Sequence, residues 1–225
     1  MDLAISAREQ PHDRLLVALL ALTFVTGMVD GVSFLGLGRV FTANMTGNIA
    51  LLGFAVAGAR GLSIAGPSVS LLGFLIGAVL GGRLAQLMIN APRRRWVLTA
   101  GVLEALVLFG AAAISVGLEP GGEMPSRRLY AVIVLTAAAM GFRTATVRRF
   151  AVPDMTTTVL TQTLTAVAAE SSLAGGTNPR LGRRVAAVLL LLAGAATGVL
   201  LMQYGLALPL FVSGTCALVA CAWAA

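Results

Sequence analysis

The chain has 225 residues, 58% of them hydrophobic and only 11% charged, and carries a net charge of +7. Soluble domains are about a quarter charged, so this composition, with a mean hydropathy of +0.92, excludes an ordinary soluble domain. All sixteen basic residues are Arg, gathered mainly at the ends of apolar runs. Membrane orientation demands that placement, so the basic balance does not indicate nucleic acid as a partner.

A spanning helix needs about 20 mostly apolar residues. Six runs meet that need, at roughly 15–36, 65–88, 96–118, 129–147, 185–204 and 206–225, and they leave no room for a separate soluble domain. The expected fold is an all-α membrane protein with about six transmembrane helices, and its first partner is the lipid bilayer. Residues 1–14 are too polar for a signal-peptide core, and the run that follows lacks a small-residue cleavage site. It reads as a retained first helix behind a cytoplasmic tail. Asp30 lies about 20 Å along that helix at 1.5 Å per residue. A charge there is costly and marks a functional site by default. The plainer reading is that it caps the break at Gly36–Gly38 or pairs with an Arg near the surface.

Phe41-Thr-Ala-Asn-Met-Thr-Gly-Asn-Ile49 is a polar lead-in to a short apolar stretch reaching about Ala59. Such a stretch is short for spanning and suits a re-entrant element. Its Thr42, Asn44, Thr46 and Asn48 either cap a helix that starts inside the membrane or line a polar path for a solute. In the next run Gly73, Gly77 and Gly81 recur at four-residue spacing, which lets helices approach closely. That pattern fits packing between two halves of the chain or between protomers of a homo-oligomer. Glu104, in the third long run, is either a proton carrier or a polar residue bonded to a neighbouring helix.

Residues 119–128 form a connecting loop before the fourth long run. There Arg143 is the innermost cation and the natural partner for a carboxylate, unless it snorkels to the surface. Thr144 stands beside it. Pro153-Asp-Met-Thr-Thr-Thr-Val-Leu-Thr-Gln-Thr-Leu164 then repeats the polar lead-in, its apolar stretch reaching about Ala169. Its candidates are Asp154, Thr157, Thr161 and Thr163. Gly194 and Gly198 follow in the fifth run. Cys216 and Cys221, five residues apart on a helix, fall on different faces, which disfavours a disulfide between them and offers no metal-ligand spacing.

The order helix, Thr/Asn turn, short helix, GxxxG helix, final helix therefore occurs twice, over 15–118 and 129–225. Thr46-Gly47-Asn48 aligns with Thr161-Gln162-Thr163, Gly77–Gly81 with Gly194–Gly198, and Gly101 with Gly214. Gly27 aligns with Gly141 across a one-residue gap. If both short segments re-enter, Arg8, Arg14, Arg93–Arg95, Arg148, Arg149, Arg180, Arg183 and Arg184 all fall on one side. Only Arg39, Arg60, Arg127 and Arg128 fall on the other. If both span, the large clusters separate. The positive-inside rule favours re-entry with a cytoplasmic N-terminus, and three spans per copy make the second copy inverted. Inverted repeats with broken helices are a transporter architecture.

At Gly27-Met-Val-Asp30, Phe41–Asn48, Met140–Arg148 and Thr156–Thr161 the sequence resembles the YoaK family of bacterial inner-membrane proteins, grouped under a domain of unknown function. The resemblance covers nearly the whole chain and implies a membrane location and about six spans, with no substrate. Members often carry a Gln or Asn pair where Arg143 and Thr144 stand here.

An enzyme is not expected, because His12 in the tail is the only histidine and there is no Lys. Histidine acid–base pairs, Schiff bases and the P-loop are thereby removed, and no cofactor or metal is indicated. A small-solute transporter or channel is the expected role, with positive helix ends weakly favouring an anionic solute. The alternative is a non-transporting scaffold or accessory subunit. A transporter should join Asp30, Glu104 and the Thr/Asn turns to one cavity; a scaffold should bury them as satisfied caps.

Overall fold

The computed structural model describes residues 11–121, 126–148 and 160–225. Among these the α-helices are α1 (Pro11–Gly36), α2 (Met45–Val56), α3 (Ala65–Leu87), α4 (Arg93–Ser115), α5 (Arg127–Arg148), α6 (Leu160–Ala169), α7 (Leu181–Leu201) and α8 (Ala207–Ala224). Six of them, all except α2 and α6, are long and apolar enough to cross a membrane. The 12 residues of α2 reach about 18 Å, short of the roughly 30 Å hydrocarbon core.

Helix polarity alone does not explain where the arginines sit. Arg93, Arg94 and Arg95 open α4 directly after Pro92, and Arg183 and Arg184 lie in the first turn of α7. Cations at a helix N-terminus oppose the macrodipole, at a cost of about 0.3–1 kcal/mol each. The requirement for charge at a membrane face overrides that preference.

Two buried clusters fix the direction of the long helices. One gathers Leu15 and Leu19 from the start of α1, Trp96 and Val97 from the start of α4, Val147 from the end of α5 and Cys221 from the end of α8, with Leu84 from the end of α3 packed against it. The other gathers Leu37 just past α1, Ala111 and Ala112 from late α4, Val132 and Ile133 from early α5, and Leu210 from early α8. Val69 of early α3 and Met202 just past α7 pack there too. So α1, α4 and α7 run one way and α3, α5 and α8 the other. The chain leaves α1 and begins α3 at the same end, and leaves α5 and begins α7 at the opposite one. Neither α2 nor α6 therefore crosses the bundle. Arg14, Arg83, Arg93–Arg95, Arg148, Arg180, Arg183 and Arg184 mark one end, which we term the basic end; Arg39, Arg60, Arg127 and Arg128 mark the other.

Long helices pair through glycine. α3 lies along α5, α1 along α7, and α4 along α8. A Cβ on Gly77 would collide with the backbone carbonyl of Ala138, and one on Gly194 with that of Phe24. Cβ atoms on Gly73, Gly81 and Gly198 would come 2.9, 2.7 and 2.6 Å from the carbonyls of Val134, Phe142 and Met28. All five glycines are thus buried between helices of the same chain. Gly141 faces Phe74 and Gly27 faces Leu191 in return. In lipid, where apolar burial does not favour one helix face over another, such close backbone approach is what brings helices together.

Candidate functional site

The chain turns back into the bundle after α1. Gly38 takes a left-handed φ of 88°, a conformation that glycine adopts without steric penalty, and Arg39 N–H closes the turn on Phe34 O at 3.1 Å. The rings of Phe34 and Phe41 then stack at 4.8 Å. Two residues on, Ala43 joins the central buried cluster with Val25, Val29, Leu108, Ala139 and Met140. The start of α2 is therefore at mid-depth.

Asp30 holds that lead-in. Its Oδ1 accepts the backbone N–H of Thr42 at 3.1 Å and of Ala43 at 2.8 Å. Asn48, fully buried, accepts Phe41 N–H at 2.9 Å and donates to Phe41 O and to Ser70 Oγ. Ser70 in turn donates to Phe41 O at 2.6 Å, which ties the lead-in to α3. Asn44 caps α2 by accepting Gly47 N–H at 3.3 Å. Asn44 and Thr46 are exposed on the protein surface. Thr42 is completely buried, and its Oγ1 has no hydrogen-bond partner. A buried hydroxyl left unpaired costs about 1–3 kcal/mol, so this one calls for an explanation.

A second polar group lies next to the first. Arg143 of α5 donates through Nε to Glu104 Oε1 of α4 at 2.7 Å, and through Nη2 to the same oxygen. Its Nη1 donates to Leu22 O at 2.9 Å and to Thr26 Oγ1 at 3.0 Å, both on α1. Three helices that run in two directions are thus fastened at one buried guanidinium. Thr26 precedes Asp30 by four residues, Glu104 precedes Leu108 by four, and Ala139 precedes Arg143 by four. Leu108 and Ala139 both touch the cluster around Ala43. Residues four apart stack on one helix face, so the ion pair and the start of α2 form two polar layers about one turn, roughly 5.4 Å, apart.

Two cavities reach Glu104. A cleft of about 420 Å³ lies between α3, α4 and α5. A small void of about 30 Å³, bounded by α1, α4, α5 and α8, also touches Arg143, and holds on the order of one or two waters. Neither is lined by Asp30, Thr42, Asn44, Thr46 or Asn48. The expected constellation is therefore two adjoining groups in the described structure, of which the ion pair, and not the Asp30 group, lines these two cavities.

The remaining candidates are spread out. Thr144 is half-buried and donates to Met140 O at 2.8 Å. Thr161 is exposed, whereas Thr163 on α6 is buried. Asp154 and Thr157 lie outside the described residues. Arg184 donates to Ala166 O and to Glu170 at 2.8 Å, binding α6 to the start of α7. Sequence reading passed over Ser70, Thr26 and Leu22 O. Thr26 also donates to Leu22 O at 2.9 Å, an ordinary habit of helical threonine, and nothing in the sequence marks it as a partner of Arg143.

Six long apolar helices enclosing two buried polar layers define a multi-pass α-helical membrane protein. The chain belongs to the family described as Protein of unknown function (DUF1275), matched over residues 18–223. It is similar to UPF0700 transmembrane protein YoaK of Bacillus subtilis (strain 168), with 36% identity over 155 residues, covering 66% of this chain and 63% of that relative. The match thus spans a little less than two thirds of the relative's length. No solved structure matches the chain.

Proposed function

We propose that this protein is a small-solute transporter or channel, and not an enzyme, with its path at the paired Thr/Asn turns of the two sequence copies, the first of which leads into α2 inside the bundle. The observation that carries this reading is the mid-depth start of α2, with Ala43 in the central cluster and Asp30 bound to the lead-in. Irregular backbone at that depth is tolerated where it is buried in protein or lines a polar cavity. Asp30 costs free energy that packing alone does not require, and Thr42 Oγ1 is an unused hydrogen-bonding atom. The helix directions support an inverted repeat, with α1, α3 and α4 answered by α5, α7 and α8. The glycine crossings Gly77–Ala138 and Gly194–Phe24 are the same contact in two copies. Such repeats place solutes at the broken helices. The helix N-terminus weakly favours an anionic solute, and the charge at the basic end supports an inner-membrane orientation with the N-terminus in the cytoplasm.

A scaffold or accessory subunit is the second reading. It is favoured by the satisfied bonds of Asn44 and Asn48 and by the absence of Asp30 from the two cavities. Purified protein in liposomes decides between them, with flux measured for a panel of small anions, cations and neutral solutes. A protein-dependent flux that falls at least about ten-fold in Asp30→Asn, at unchanged thermal stability, supports transport; ten-fold corresponds to about 1.4 kcal/mol. No protein-dependent flux across all three classes leaves the scaffold.

A further inference from the structure

α3 and α4 are consecutive in the chain yet diverge, α3 packing on α5 and α4 on α8. The cleft of about 420 Å³ opens between them, floored by α5 and walled by leucines of α3 and α4. Two charged side chains line it, and they differ in kind. Glu104, on the α4 wall, is 3% exposed and ion-paired to Arg143, so it presents no net charge to a guest. Arg83 is exposed near the end of α3, and no acidic group among the described residues pairs with it. Arg93, Arg94 and Arg95 begin α4 at the same end. From Leu87 to Gly77, both on the cleft, the α3 wall measures about 15 Å at 1.5 Å per residue. Arg83 lies four residues, about one turn, inside Leu87 on that wall, and the α3 lining deeper than it, Leu80 and Gly77, carries no charge.

We propose that this cleft binds one anionic phospholipid, with its phosphate on Arg83 and an acyl chain lying between Leu84, Leu103 and Val107. A guanidinium fork matches phosphate oxygens. A chain in a cleft with walls on three helices is surrounded, unlike a lipid resting on a single helix face. The basic residues at this end, with no carboxylate among the described residues paired to Arg83, select against headgroups that carry their own cation. Glu104 lies deeper, and its compensation by Arg143 removes the repulsion that would otherwise oppose the phosphate.

The test is native mass spectrometry of the full chain in detergent, titrated with phosphatidylglycerol and with phosphatidylcholine of the same acyl chains. Phosphatidylglycerol should be retained at the lower concentration. Arg83→Gln should cut that preference by about five-fold, the factor equivalent to roughly 1 kcal/mol per surface arginine. Leu103→Trp, which fills the cleft, should lower retention of both lipids. Leu72→Trp, on an exposed face of α3 outside the cleft, should change neither. If Leu103→Trp unfolds the protein, Val107→Phe takes its place, with thermal stability monitored throughout. Equal retention of the two lipids by the unaltered protein would overturn the proposal, as would indifference to Arg83→Gln or to the filling variant. Displacement of the phospholipid by equimolar oleate would assign the cleft to a free carboxylate instead.

Discussion

Removing Glu104 while leaving Arg143 in place should be the most damaging polar substitution in the chain. Arg143 is 1% exposed and Glu104 3%, so bulk solvent does not stand in for a missing partner, and the adjoining void has room for only about one or two waters. Of the four hydrogen bonds Arg143 makes, two end on Glu104 Oε1 and two on α1. Glu104→Ala keeps the two α1 bonds but strands a buried positive charge, a loss of about 3–5 kcal/mol in folded proteins. At about 2–4 °C per kcal/mol for a chain of this size, the melting temperature should fall by about 6–20 °C. Glu104→Gln keeps an acceptor for Nε and should fall by less. The double variant Glu104→Leu with Arg143→Met removes both charges together and should recover most of the loss, because a buried pair is often replaceable by apolar groups of similar volume. The assay is thermal unfolding of purified protein in one detergent across the four forms. A Glu104→Ala protein within about 2 °C of the unaltered chain would refute the reasoning. So would a double variant no more stable than the worse single, because then the stranded charge is not what costs stability.

Three further outcomes follow from the same structure. Gly77→Val, which forces a side chain against the Ala138 carbonyl, should destabilise by at least about 1–3 kcal/mol in thermal unfolding, whereas Gly82→Ala, at a glycine with open space around it, should not. Asn48→Leu leaves Phe41 N–H unpaired, at about 1–3 kcal/mol, and amide exchange of residues 41–47 should speed up more than that of α4. Single cysteines at Arg60 and Gly175, in a variant lacking Cys216 and Cys221, should label from opposite sides of sealed vesicles; labelling from the same side would remove the inverted repeat.

Spans and short segments were legible because spanning length and unbroken hydrophobicity are local properties. The glycines at 73, 77, 81, 194 and 198 were legible as packing residues because four-residue spacing keeps them on one face. Their location between α3 and α5 and between α1 and α7 depends on which helices are neighbours, and the arginine distribution, which bears only on the side of each helix end, does not give that. The match of Arg143 to Glu104 was only half readable: a deep cation asks for a carboxylate, but the sequence offers both Asp30 and Glu104 within apolar runs and does not say which. What decides it is that Asp30 Oδ1 is taken by the N–H groups of Thr42 and Ala43, and backbone donors leave no trace in a sequence. Leu22 O is hidden for the same reason. The cleft lined by Arg83 depends on two consecutive helices failing to pack together, and no residue pattern announces that.

The division of labour among these contacts bears on the two functional readings. Glycine crossings join α1 to α7 and α3 to α5, and Gly101 and Gly214 lie between α4 and α8. The guanidinium of Arg143 is a different kind of link, because it connects α5 to both α4 and α1 across the crossings. Glycine contacts are rigid and short in reach, whereas a side chain with four hydrogen bonds can exchange partners as helices shift. In a scaffold that link serves stability alone, so the charge-free double variant should keep every property of the unaltered protein. In a transporter the bonds must break and re-form as the α1 layer around Asp30 moves past α4 and α5. The double variant should then stay folded and lose flux. Thr42→Val sharpens the comparison: Oγ1 has no partner to lose, so stability should hold or rise by about 1 kcal/mol. A simultaneous fall in flux would show that the unused hydroxyl is kept for a passing solute, and an unchanged flux would remove Thr42 from the path.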